Sequence, residues 1–305
     1  MSYEDRFGFL PEPISLRFAD GEIVPVSDYA SVKKSVDDAA HKNGYRFPPV
    51  ISTQRAIPES YDTATGEYAQ WEAVPNTERP SPVQFLPVSH RLTVNGPSAS
   101  EGREGIGSFI VHLVGFIYGV RLQFHVWTIN GRALTRGHSP FHASPHSAEQ
   151  FIESAIKTRN ILRQDLRDRM TNILYLYSMA LSQEYEWLEF TLLYMVFDAC
   201  YDMAKKLHRI GAHKHKHKKR FVEVASCFDI VQEHEQFNKW ARLRKELFHE
   251  ALWNGQTPGT STFSKAYSGI LYFRGFESRV IAALLGHKSK FVTDSWKHMA
   301  MSPFD

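Results

Sequence analysis

The sequence predicts an α+β protein in which a strand-rich mixed domain precedes an all-α helical bundle. Eleven of the fifteen prolines lie among the first hundred residues, where they interrupt helices repeatedly. From about residue 148 to residue 298 the pattern instead favours long helices. The 305 residues, of which 43% are apolar, suffice for one large or two ordinary domains with a real core. We therefore divide the chain into residues 1–140, residues 148–298 and a tail at 299–305.

Short apolar runs between turn residues predict the strands of the first domain. They are ISLRF (14–18), EIVPV (22–26), VQFLPV (83–88) and RLTV (91–94). One helix is expected among them, over DYASVKKSVDDAAHKN, with Ser27 as its cap and Gly44 as its end. Residues 56–82, rich in polar residues and prolines, are predicted to form a long loop or lid.

A buried helix, a strand and a linker are predicted between the two domains. IGSFIVHLVGFIYGV (106–120) is apolar on most faces, which is typical of a buried helix. VRLQFHVWTI (120–129) alternates and predicts a strand that ends at an Asn-Gly turn. Residues 137–147 have the composition of a linker, and Ser147 is expected to cap the first helix of the bundle.

The bundle is predicted to contain five long helices and one shorter helix, the latter around Phe221 and Phe228. The long ones cover SAEQFIESAIKTRNIL, DLRDRMTNILYLYSMALS, EYEWLEFTLLYMVFDACYDMAKKLH, QFNKWARLRKELFHEALW and KAYSGILYFRGFESRVIAALLGH. Cys200 and Cys227 lie in apolar helical surroundings, which predicts buried free thiols in a reducing cytoplasm. The N-terminus does not have the pattern of a signal peptide, and no apolar run is long enough to span a bilayer. We therefore expect a cytoplasmic protein.

Overall charge does not identify a partner, because the formal net charge is only +3 with histidine neutral. Any argument for nucleic-acid binding must therefore rest on local clustering. The sequence has no glycine-rich phosphate loop, no CxxC pair and no nucleophile elbow of the GxSxG type.

The most informative stretch is LRKELFHEALW (243–253), in which four residues separate Arg244 from His249. Arginine can hold a phosphate with a planar fork of donors, and histidine can move a proton near neutral pH. Together they are the minimal set of functional groups for cleaving a ribose-phosphate backbone without a metal. A buried seam is expected behind them, formed by Trp240, Leu243, Leu247 and Ala251 with Phe248 and Leu252 beside it.

Ideal helix geometry predicts that Arg244 and His249 do not form a tight pair within one chain. They would be separated by about 140° around the axis and about 7.5 Å along it. Cleavage by the ribose 2′-hydroxyl needs both a base and an acid, and one helix supplies only His249. A two-fold dimer would supply the second copy. The alternative is an ordinary solvated, ion-paired face, for which Arg242 and Glu246 have the spacing.

The Arg-x4-His spacing and its helical frame resemble the signature of HEPN domains, small helical bundles that include many metal-independent ribonucleases. The resemblance extends to the preceding helix, EYEWLEFTLLYMVFDACY, where Asp198 stands at the place of an acidic residue that faces the site, and to a final helix, LYFRGFESRVIAALLG. The likeness covers residues 148–298 well and the first 140 loosely. The order of a mixed half followed by a helical half is similar to the ApeA-like branch, found among bacterial abortive-infection proteins.

This resemblance implies a homodimeric or higher-order endoribonuclease that acts without a metal or cofactor, as a toxin-like effector of antiviral defence. Arg244 would bind and polarise the scissile phosphate, and His249 would act as base on one subunit and acid on the other. The first domain would be an accessory or sensor domain that responds to a regulatory partner or a phage trigger. Many members have Asn after the Arg, where this chain has Lys245, a possible phosphate contact or a loss of polar bonding.

Asp198 and the basic run at 208–220 each allow two or more interpretations. Asp198 either orients Arg244 or His249, or has the structural role of pairing with any nearby cation. The basic run at 208–220 is either an RNA-backbone contact or a solvated loop, and its histidines allow a metal site. The residues predicted to guide RNA are His213, Lys214, His215, Lys216, His217, Lys218 and Lys219.

Two other functions remain open. Many HEPN-like bundles serve as non-catalytic dimerisation or nucleotide-binding modules that act with another protein. A metal-dependent enzyme that uses the histidine runs is the third hypothesis.

Overall fold

The N-terminal half is built around a five-stranded antiparallel sheet. The computed structural model describes residues 1–40, 44–46, 54–73, 83–137, 139, 141–207, 209–211, 216–258, 267–297 and 304. Within them the strands are β1 (Ser2–Gly8), β2 (Leu16–Phe18), β3 (Gly21–Pro25), β4 (Tyr45–Arg46), β5 (Gln54–Ala56), β6 (Tyr61–Asp62), β7 (Glu67–Tyr68), β8 (Trp71–Ala73), β9 (Val83–Phe85), β10 (His90–Asn95), β11 (Gln123–Phe124), β12 (Thr128–Asn130) and β13 (Ala133–Leu134).

The order of strands in this sheet is β11-β1-β10-β3-β2. In β10, Leu92 and Val94 are buried while Arg91 and Asn95 are exposed, so one face of the sheet lies on the core. The strands predicted at 14–18, 22–26, 83–88 and 91–94 are confirmed by β2, β3, β9 and β10. Strand β1, which pairs with β10 over six residues, was not predicted.

The helices within the described residues are α1 (Tyr29–Ala39), α2 (Ser108–Tyr118), α3 (Pro145–Asn160), α4 (Gln164–Leu181), α5 (Glu186–Lys206), α6 (His217–Cys227), α7 (His234–Glu250), α8 (Tyr267–Leu284) and α9 (Lys290–Thr293). The coarse prediction, a strand-rich half followed by a helical half, is therefore confirmed. No described helix is long and apolar enough to cross a membrane.

Both predicted helix caps are wrong. Asp28 precedes α1 and makes no side-chain capping bond, so Ser27 does not cap this helix, which ends at Ala39. Ser144 caps α3 by accepting a hydrogen bond from the backbone N–H of Ser147, and Pro145 takes the first helical position, where its missing N–H costs nothing.

Two other predicted segments, a loop and a strand, also differ from the structure. Within the described part of residues 56–82, the expected loop contains two short antiparallel strand pairs, β5 with β8 and, between them in sequence, β6 with β7. The strand expected over 120–129 is divided into β11 and β12, because Val126 adopts a positive φ of 67° between them.

A continuous apolar core joins α2 to the helical half of the chain. The ring of Phe116 on α2 contacts those of Phe141, Phe151 and Tyr177. Phe304, near the C-terminus, is fully buried and stacks on Phe141 at 4.3 Å between ring centroids. Cys200 is buried and Cys227 is half-buried, and both are free thiols.

An aromatic cluster fixes α7, the helix that carries Arg244 and His249, against α5, α6 and α8. Trp240 is fully buried and stacks on Phe273 of α8, with ring centroids 4.6 Å apart. Its indole N–H also donates a 2.9 Å hydrogen bond to the carbonyl oxygen of Gly269. On the other side of the cluster, Phe221 of α6 stacks on Phe197 of α5 at 4.0 Å. Large, well-packed side chains therefore hold α7 in place against α5, α6 and α8.

Candidate functional site

The candidate site begins at the C-terminal end of α7. Trp240 and Leu243 are buried as the predicted seam requires, but Phe248 is 45% exposed and Ala251 lies beyond the helix. The helix ends at Glu250 rather than continuing to Trp253, because Ala251 adopts the left-handed conformation with φ 52°. His249 is thus an exposed residue of the last turn.

The prediction that Arg244 and His249 do not form a tight pair within one chain is wrong. Arg244 Nη1 lies 2.9 Å from His249 Nε2. The prediction from ideal geometry was wrong because it considered the positions of the two residues around and along the axis, but not the length and direction of their side chains. Side chains on a helix lean toward its N-terminus, so the ring of His249 leans back toward Arg244. The long arginine side chain crosses the ring of Phe248, with its guanidinium carbon 5.1 Å from the ring centroid, and reaches the imidazole.

This hydrogen bond assigns the donor and acceptor roles of the two side chains. A guanidinium can only donate, so His249 Nε2 must accept and carries a lone pair. In this arrangement the imidazole proton is on Nδ1, and Nε2 keeps the lone pair that a general base requires.

Arg244 differs from the other cations of α7 in its partner. Arg242 Nε lies 3.5 Å from Glu246 Oε1, and Lys245 Nζ lies 3.3 Å from Glu250 Oε1. These two form the ordinary ion-paired face expected of an exposed helix. Among the described residues, no carboxylate lies within ion-pair distance of Arg244, so its charge is balanced by no acidic neighbour.

Asp198 pairs with a cation other than Arg244. Arg220 Nη1 of α6 donates a 2.7 Å hydrogen bond to Asp198 Oδ1 on α5, in a half-buried ion pair. This contact agrees with the structural role considered for Asp198. The carboxylate still lies near the site, since its charge acts on both Tyr194 and His217.

Tyr194 and His217 join the site from α5 and α6. Tyr194 Oη lies 2.9 Å from His217 Nδ1. Burial, followed by the charge of Asp198, raises the pKa of the Tyr194 hydroxyl, which therefore stays protonated. Burial also lowers the pKa of His217, and the positive charges of Arg244 and Arg220 lower it further.

The basic run contributes only in part to the described surface. His213, Lys214 and His215 lie outside the described residues. Lys216, Lys218 and Lys219 are exposed around the start of α6, where His217 is the first helical residue. The described residues contain no group of three or more His, Cys, Asp or Glu side chains that could hold a metal ion.

The resulting arrangement can bind an anion and exchange protons with it. Two guanidinium groups, two imidazoles and one phenol converge from three helices, and Asp198 provides the opposite charge. The chain matches no family model, no curated protein and no solved structure.

Sequence reasoning missed two members of this site, Tyr194 and Arg220. A signal was present on α5, where Tyr194, Asp198 and Tyr201 follow at i, i+4 and i+7 and so share one face. A polar row on an otherwise apolar helix indicates a specific partner surface. The residues on α6 that meet this face could not be identified, because they come together only through tertiary packing.

Proposed function

We propose that this chain is a metal-independent endoribonuclease that cleaves RNA by attack of the ribose 2′-hydroxyl, with Arg244 and His249 at its centre. The observation that carries the proposal is the 2.9 Å hydrogen bond between these two side chains, together with the lack of a described carboxylate partner for Arg244. An arginine kept free of carboxylates at an exposed helix end is suited to an external anion. The neutral imidazole beside it is suited to proton transfer.

In the proposed reaction a phosphodiester takes the place of His249 on the arginine. The guanidinium donates to two phosphate oxygens and stabilises the charge that builds on the phosphorane. A base removes the proton from the 2′-oxygen, this oxygen bonds to phosphorus, and the P–O5′ bond breaks. An acid then protonates the 5′-oxygen, which leaves a 2′,3′-cyclic phosphate and a 5′-hydroxyl. His249 serves as base or acid, and a homodimer would add a second copy of it.

The wider role belongs to the same proposal. A HEPN-like bundle of the ApeA-like branch would act in the cytoplasm as an abortive-infection effector, and the strand-rich half would respond to a phage trigger or a partner protein. Lys216, Lys218 and Lys219 are exposed beside the site and would contact the RNA backbone, with Lys245 as a further contact. The expected signature is cleavage that weakens steeply with salt.

The direct test compares wild type with His249→Ala on a mixed RNA substrate in EDTA. His234→Ala is the matched control, because His234 is also an exposed histidine of α7, at the opposite end of the helix. We expect cleavage by wild type and by the control, and none by His249→Ala. Equal cleavage by all three proteins, or none by any of them in the presence of phage lysate as trigger, would refute the proposal.

The alternative function is a non-catalytic dimerisation or nucleotide-binding module. The half-exposed ring of Phe248 favours it, because an exposed aromatic ring beside a guanidinium can stack on a base or be covered by a second copy. Light scattering on Arg244→Ala separates the two functions. A dimer that persists while cleavage stops supports catalysis, and a dimer that dissociates supports the module.

A further inference from the structure

The site contains a second histidine from the same chain. His217 begins α6, and its ring lies 5.7 Å from that of Tyr194, measured between centroids, with the hydrogen bond to Tyr194 Oη described above. The ring of Tyr194 lies in turn 6.4 Å from that of Phe248, across which Arg244 reaches His249. A continuous series of contacts therefore links the two imidazoles, and both belong to one protomer.

We propose that His217 is the general base of this site and His249 the general acid, so that each protomer holds a complete acid–base pair. The inference rests on the proposed ribonuclease function, and it replaces the second copy of His249 that a shared site would need. An in-line reaction places base and acid on opposite sides of the phosphorus, which requires two separate groups.

The charges that face His217 fit the role of a base. Arg244 from α7 and Arg220 from α6 contribute positive charge, Asp198 from α5 contributes the opposing negative charge, and His249 adds a further positive charge only while it is protonated. Burial and the cations together keep the imidazole neutral near pH 7, so that it can accept a proton. In the proposed role Nδ1–H of His217 donates to Tyr194 Oη, which places the lone pair on Nε2, the nitrogen that would accept a proton from the substrate.

The step balances within one protomer. His217 Nε2 takes the proton of the 2′-hydroxyl as the 2′-oxygen bonds to phosphorus. The P–O5′ bond breaks, and His249, protonated once the phosphate has drawn Arg244 away, gives its proton to the 5′-oxygen. His217 then releases its proton to water, which offsets the proton that His249 took from water when the substrate bound, and Arg244 can again donate to His249 Nε2.

The first test follows the imidazole NMR signals of the full chain during titration with adenosine 3′-monophosphate. We expect the signals of both His217 and His249 to shift along one binding curve, while that of His234, the first residue of α7, stays unchanged. A shift of His249 alone would overturn the role of His217 and leave the proposed function intact. A shift of neither would count against both.

The second test uses His217→Gln, which keeps a polar group beside Tyr194, and His249→Ala. Each variant alone should lose at least ~10²-fold in cleavage rate. A one-to-one mixture of the two, refolded together, should remain as inactive as either alone. Recovery of about a quarter of the wild-type rate would instead reveal sites shared between protomers, because half of the dimers would be mixed and would hold one intact site of two.

Failure of the assignment of His217 and failure of the proposed ribonuclease function give different results. Wild-type cleavage by His217→Gln, with His249→Ala inactive, overturns only the assignment of His217. The pH profile adds a further check: the loss of cleavage at acid pH in wild type should disappear in any residual activity of His217→Gln, because the titrating base is gone.

Discussion

Replacing Arg244 by glutamine tests the central role of this residue when Arg242→Gln is the matched control. Both arginines lie on α7, and both substitutions remove one positive charge. Arg242 is 62% exposed and belongs to a surface ion pair, which contributes about 0–1 kcal/mol to stability. Arg244 loses an exposed hydrogen bond and a contact with the ring of Phe248 that contributes about 0.5–1 kcal/mol. Both variants should therefore fold, with melting temperatures within a few degrees of wild type.

The cleavage rate should fall much further in Arg244→Gln than in Arg242→Gln. Removing a charged donor from a developing phosphorane costs about 3–4 kcal/mol, which corresponds to a rate reduction of about 10²–10³. Single-turnover cleavage of a fluorescent RNA in EDTA measures this ratio directly. We expect Arg242→Gln to retain the wild-type rate within about threefold, since it removes only a distant charge. Equal losses in the two variants would mean that general charge, rather than a phosphate contact by Arg244, supports activity.

Three further predictions concern stability. Burial lowers the pKa of His90 and His112 to about 4, so between pH 6.5 and pH 4 the unfolded chain binds more protons than the folded one. Stability should therefore be fully present above pH 6.5 and fall as the pH drops, and urea titrations at pH 7.5 and pH 5 should differ by at most roughly 2 kcal/mol for each histidine. Ser144→Ala should cost about 1 kcal/mol in the same titration because it removes the cap of α3, whereas Ser27→Ala should change stability by less than about 0.5 kcal/mol. Trp240→Ala should cost about 3–5 kcal/mol, and a loss below 1 kcal/mol would contradict the packing of the aromatic cluster.

The helices could be predicted because their apolar residues recur at helical spacing over long segments. Strand β1 could not, because its sequence SYEDRFG places charged residues on the exposed face and offers few apolar residues to mark the buried one. The predicted cap of α3 was wrong because two nearby serines can both serve as a cap. Ser144 and Ser147 both have side chains that can cap, and only the backbone decides that Pro145 starts the helix.

The residues of the candidate site that lie on one helix could be predicted, whereas those brought together by the packing of different helices could not. Arg244 and His249 could be identified from one helix, but the hydrogen bond between them depends on side-chain direction and length, which a projection around the axis ignores. Tyr194 and His217 are separated by 23 residues in sequence, and only the packing of α5 against α6 brings them together. Whether the site is completed within one protomer therefore depends on tertiary contacts.

The resting hydrogen bond suggests how substrate binding and proton transfer are coupled in the proposed mechanism. While Arg244 donates to His249 Nε2, this nitrogen cannot be protonated, so the acid is inactive without substrate. A phosphodiester draws the guanidinium away because its bonds to an anion are stronger than its bond to a neutral ring. The freed nitrogen then faces a negative charge, which favours the protonated imidazole. Within the described residues Asp198 pairs with Arg220 and no carboxylate pairs with Arg244, so the positive charge of Arg244 stays available to the substrate. The same ligand therefore both binds the site and prepares its acid.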